Sequence, residues 1–139
     1  MKDTIAAITF DVSGLPPLKN EALSVLAAGN RQAGRVRVLL EAACAEAQRT
    51  GWTALADPVA LDVVLRRPPG HHSGDATNFL GGIGDVLQDK RRSARVMSLA
   101  HLGVLVDVAL YVDDRQIRQL SYREEHADEP SYTVRVSTL

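Results

Sequence analysis

Four aspartates and a histidine pair are the residues of this chain whose types and spacing could do chemistry. Asp75 stands just before a glycine-rich stretch, Asp85 lies within it, and Asp113-Asp114 follow it. Carboxylates drawn from separate segments are what an Mg²⁺ site requires, because that hard ion takes oxygen ligands and keeps several waters for a substrate's phosphates. Mg²⁺ held in this way activates a water and neutralises the charge that builds on phosphate during hydrolysis. Each aspartate also has an ordinary reading: Asp75 as a helix cap, Asp85 as a solvated residue, Asp113-Asp114 as a turn former. His71-His72, taken with Asp75, suggests a Zn²⁺ hydrolase, but adjacent side chains in a loop rarely converge on one ion without further ligands.

The element that must position these acids is the stretch 74–90. Phe79, Leu80, Ile83, Val86 and Leu87 recur at the spacing of one helix face. Asn78, Gly81, Gly82, Asp85, Gln88 and Asp89 fall on the other side. Glycine inside a helix costs about 1 kcal/mol relative to alanine, and Gly81, Gly82 and Gly84 stand almost in a row. The expected reason is a close approach to the helix backbone by a nucleic-acid strand, a metal-bound phosphate or a partner helix.

Around this helix, residues 4–12 read as a first strand, broken by Ser13-Gly-Leu-Pro-Pro-Leu-Lys-Asn20, whose prolines cannot donate to a sheet ladder. Residues 21–28 read as a short helix or a loop. A helix follows from Arg31, with Val36, Leu39, Leu40, Ala43 and Ala47 on one face and Gly51 at its end. Its arginines read as a solvated face with an Arg37–Glu41 pair, or as phosphate contacts. Residues 59–66 form a second strand, ended by Pro68-Pro69-Gly70. After the central helix comes the basic cluster Lys90, Arg91, Arg92 and Arg95, which suits a helix C-terminus. Residues 99–110 read as a helical turn followed by the start of a strand. Residues 116–123 and 132–138 read as two strands joined as a hairpin. The order predicts one α+β domain over residues 1–139, a mixed sheet of about four to five strands covered by two helices.

At 139 residues, 45% apolar and 24% charged, the chain can bury a core without staples. Its net charge of −1 neither demands nor excludes a nucleic-acid partner. Cys44 is the single cysteine, so no disulfide framework exists. No signal peptide or membrane span is read, and the cytoplasm is the expected location.

Asp75-Ala-Thr-Asn78, then Asp85-Val-Leu87, then Val112-Asp-Asp-Arg-Gln-Ile117 and a closing pair of strands resembles the RusA-type Holliday-junction resolvase family. That family shows Asp-x-Asp-Asn, a lysine three residues after the Asn, a helical Asp-Ala-Leu, and Asp-Asp-x-Gln-Ile. The likeness covers residues 75–139, and Gly14-Leu-Pro-Pro-Leu-Lys19 is similar to the family's proline-bearing loop after the first strand.

The resemblance implies a RusA-like fold and a homodimeric, Mg²⁺-dependent endonuclease that cuts branched DNA. It implies Asp75, Asp85 and Asp114 as catalytic and metal-binding acids. DNA contacts are expected from Lys19, Asn78, Lys90, Arg91 and Arg92. The glycine face of the central helix is the expected surface for close approach in the dimer. Two positions depart from the pattern: Thr77 stands where the family has its second acid, and Gly81 where it has the lysine. Lys90 and Arg91 are the candidates to replace that lysine. The departures favour an alternative, a non-catalytic relative that binds DNA or another protein.

Overall fold

The computed structural model describes residues 5–19, 24–70 and 74–139. His71 and His72 lie outside the described residues, and so do positions 20–23 of the ambiguous segment; positions 24–30 form turns. The elements run β1 (Ala7–Ser13), α1 (Ala33–Thr50), β2 (Val59–Arg67), α2 (Ala76–Leu87), a one-turn α3 (Arg91–Ala94), a 3₁₀ segment Ala100–Asp107, a 3₁₀ turn Asp114–Gln116, β3 (Ile117–His126) and β4 (Ser131–Thr138). This is an α+β domain with a four-stranded mixed sheet among the described residues. No helix among them is long and apolar enough to cross a membrane.

The strand order is β1-β4-β2-β3, with β4 antiparallel to both β1 and β2, and β3 parallel to β2. The expected hairpin between the last two strands is therefore corrected: they are not neighbours. Tyr132, Val134 and Val136 are all buried, and a strand so apolar on its inner face belongs in the middle of the sheet. Most of β3 is exposed, as befits an edge. The turn between them passes over the end of β2, where the Ala127 amide donates to the Arg67 carbonyl at 3.2 Å.

Alternation gives the sheet one apolar face. Ile8, Phe10 and Val12 of β1, Val59, Leu61, Val63 and Leu65 of β2, and the three β4 residues join Val36, Leu39, Leu40 and Ala43 of α1 in one core. From α2 come Phe79, Ile83, Val86 and Leu87, four of the five residues in the predicted stripe, with Leu80 only partly buried. The opposite face is polar: Arg66 reaches Ser131 and Thr133, and Ser121 donates to Asp62. Helix α1 ends on Gly51 in the left-handed conformation, as expected. Arg37 lies 3.9 Å from Glu41, the surface pair read from the sequence.

The segment after α3 departs from the expected strand start. It is a 3₁₀ segment kinked at Gly103, which has a φ of 58°. Only Tyr111 then meets its neighbours in the manner of a strand, bridging to Leu55 and Gln88. That single buried tyrosine carries the Asp113-Asp114 turn to the C-terminal end of α2.

Candidate functional site

The site is built on α2. Asp75 is its N-cap, accepting from the Asn78 amide at 3.0 Å, and the Thr77 hydroxyl donates to the same oxygen at 3.0 Å. Asp85 lies ten residues further along, about 15 Å by helix rise. Asp75 instead lies within charge range of Tyr122 in β3. Burial, the Glu124 carboxylate and, more weakly, Asp75 hold the Tyr122 phenol above its ordinary pKa. Among the described residues, no three acidic, histidine or cysteine side chains come close enough to share a metal ion. The expected convergence of Asp75, Asp85 and Asp114 is thus corrected: helix geometry keeps the first of them away.

Asp85 and Asp114 do meet. They line one cavity, and Asp114 is pushed up from the usual carboxylate range by burial first and then by Asp85. The Asp114 backbone is fixed from two sides. Gln88 accepts its amide at 3.0 Å, and Gln116 accepts the amides of Val112 and Asp113 at 2.9 and 2.8 Å. The Gln116 amide group in turn donates to Leu55 and Asp57. Beneath the pair, the buried Tyr111 hydroxyl donates to the Gly84 carbonyl at 2.7 Å. Gln88, Tyr111 and Gln116 are positioning residues that the sequence reading passes over. One signal was there: Asp113-x-x-Gln116 has the spacing of a capping box, and the structure forms one.

The third member of the site is Lys19. Its ammonium lies 2.9 Å from Asp85, and its pKa is raised mainly by that hydrogen bond. The loop before it sits on the glycines of α2. A Cβ at position 82 would stand 2.0 Å from the Pro17 carbonyl oxygen, and one at position 81 would stand 3.3 Å from the Lys19 stem. The Lys19 amide donates to the Asn78 carbonyl at 3.1 Å. The close approach predicted from the glycines is therefore real, but the chain's own loop makes it. At Gly82 the loop backbone fills that surface, while Gly81 and Gly84 still line a cavity.

Lys19, Thr77, Leu80, Gly81, Gly84, Asp85, Asp114, Ile117 and Leu120 line a cavity of about 320 Å³. Thr77, Gly81 and Asp85 share its α2 wall because four-residue steps bring side chains onto one helix face. On the other side of the Asp113-Asp114 turn is a polar cleft of about 290 Å³, lined by Gln88, Asp89, Arg91, Arg92, Ser93, Arg95, Val112 and Asp113. Arg91 pairs with Asp89 at 2.7 Å, while Arg92 and Arg115 both reach Asp113 at 3.4 and 3.1 Å. Arg115 above all holds the Asp113 carboxyl well below its ordinary range. The ends of Arg91 and Arg92 remain largely in solvent.

Lys90 has a different place from the one expected. It is 2% exposed, so it neither reaches DNA nor replaces a lysine at position 81. Its ammonium donates to the carbonyls of Gln88 and Val108, joining the end of α2 to the 3₁₀ segment. Burial lowers its pKa to about 8 from 10.5. Between those values the unfolded chain binds more protons, so the Lys90 contribution makes stability rise with pH across that window. The full rise is roughly 3 kcal/mol, from the size of the shift. Lys90→Met should remove it, so chemical denaturation should show the wild type gaining stability relative to the variant as pH rises across the window.

No protein-family model matches the chain, and no curated protein is significantly similar to it.

Proposed function

We propose that the chain is a resolvase-type DNA-binding protein that recognises branched DNA and whose hydrolytic chemistry is suppressed. The observation that supports this most is the adjacency, across one turn, of a two-carboxylate cavity and an arginine-lined cleft. The arginines suit phosphate oxygens, which they can take in a planar, bidentate manner. The carboxylates suit the reacting end of a phosphodiester substrate.

Mg²⁺ is the ion the resemblance implies, and the residues fit it in part. Asp85 and Asp114 would hold it, and one or two carboxylates suffice when water and phosphate complete the shell. When bound, Mg²⁺ supplies charge neutralisation and an activated water. The chain's own contribution is weak on three counts. Asp75 caps a helix, Thr77 offers a hydroxyl where a third carboxylate is needed, and Lys19 already pairs with Asp85. These facts favour binding without efficient cleavage over the full endonuclease activity that the resemblance implies. The proposal includes a homodimer, whose two-fold axis matches the symmetry of a four-way junction, acting in the cytoplasm.

With a net charge of −1, affinity must come from local cations. Replacing Arg91 and Arg92 together by glutamine should weaken junction binding and reduce its log–log salt slope by about one unit per lost phosphate contact. Fluorescence anisotropy with a labelled four-way junction at several salt concentrations measures this. An unchanged slope would mean that the two arginines serve only Asp89 and Asp113.

A further inference from the structure

We infer that the Lys19 ammonium is the resident cation of the Asp85–Asp114 pair, so that the pair is neutralised from within the chain rather than by a bound ion. Three independent placements converge on it. The ammonium lies 2.9 Å from Asp85, a distance at which N–H donates directly to carboxylate oxygen. The Lys19 stem runs across the notch that Gly81 leaves, with its Cβ and Cδ 3.3 Å from where a side chain at 81 would begin. The backbone behind it is clamped between two helices, with the Lys19 amide on the Asn78 carbonyl of α2 and the Leu18 amide on the Gln32 side chain at the start of α1 at 3.2 Å.

This explains a pattern that otherwise costs stability. Glycines in a helix interior are unfavourable, and here Gly82 admits the Pro17 carbonyl while Gly81 admits the lysine stem. The helix is notched so that one loop can seat one positive charge on Asp85, in the cavity it shares with Asp114. Two like charges on one cavity wall repel, and the ammonium relieves that repulsion without a dissociable ligand. A divalent cation gains the pair only by displacing Lys19, which is tethered and therefore present at high effective concentration.

The inference concerns the same site as the DNA-binding proposal, but its test uses no DNA, so either can fail without the other. Thermal unfolding of the full chain is measured with and without millimolar Mg²⁺ for wild type, Lys19→Met and Lys19→Arg. The wild type should be insensitive to Mg²⁺. Lys19→Met should unfold several degrees lower without the ion and recover with it, and a second substitution, Asp85→Asn, should abolish the recovery. Lys19→Arg keeps a cation in place and should stay insensitive. Equal stabilisation of wild type and Lys19→Met by Mg²⁺ would overturn the inference, as would a Lys19→Met protein with no response. Should Lys19→Met fail to fold, amine labelling of the wild type followed by mass spectrometry decides. Labelling of Lys19 that Mg²⁺ leaves unchanged supports the resident ammonium, and labelling that Mg²⁺ accelerates severalfold refutes it.

Discussion

The variant carrying Thr77→Asp and Gly81→Lys is expected to nick a four-way junction in Mg²⁺ at least about 10²-fold faster than the wild type, the scale of one preorganised charged group in a transition state. Thr77 lines the same cavity as Asp85 and Asp114, so a carboxylate there brings the acids on that cavity from two to three. The accompanying cost is one hydroxyl bond to Asp75 and repulsion between the two carboxylates, moderated by solvent at an exposed helix end. The lysine introduced at 81 starts 3.3 Å from the Lys19 stem and must push that flexible side chain away. The same change therefore supplies an ammonium and loosens the one seated on Asp85. Single-turnover cleavage on a denaturing gel measures the gain. A folded variant that binds the junction and cuts no faster would show that the scaffold lacks more than these two groups.

Gly82→Ala is expected to be the most damaging single-methyl change on α2, lowering stability by about 1–3 kcal/mol through overpacking. Its Cβ would lie 2.0 Å from the Pro17 carbonyl oxygen, and backbone must move to admit it. Gly81→Ala serves as the matched control. Its new methyl meets only the aliphatic part of Lys19, and a helix-propensity gain of up to about 1 kcal/mol offsets the crowding. Urea denaturation of the two variants should differ by more than either differs from experimental scatter. Equal stability would mean that the loop 15–19 does not rest on the helix.

Much of this architecture was legible because it depends on local periodicity. The α2 stripe, the α1 face and its Gly51 stop, and the alternation in β1, β2 and β4 all follow from side-chain spacing. What spacing does not encode is which strands become neighbours, and so the β3–β4 hairpin was misread. A four-residue turn that suits a hairpin also suits a step across the end of one strand. At the site, Asp85 and Asp114 were legible as chemistry-bearing acids. Asp75 was not legible as merely a cap, because its residue type and position satisfy both roles. The glycines signalled a close approach correctly but could not name the visitor, which is Pro17 and Lys19 from more than sixty positions away. Lys90 looked like part of an exposed basic run, and only the packing of the 3₁₀ segment over it made it a buried link.

The most direct test of the central claim measures binding and cleavage on the same sample. Wild-type protein is mixed in Mg²⁺ with a labelled four-way junction or a linear duplex of the same sequence, then resolved on native and denaturing gels. The predicted result is preferential, salt-sensitive retention of the junction with little or no product. Failure to prefer the junction would contradict the resolvase-type reading. Efficient cleavage that Asp114→Asn abolishes would contradict the suppression of its chemistry.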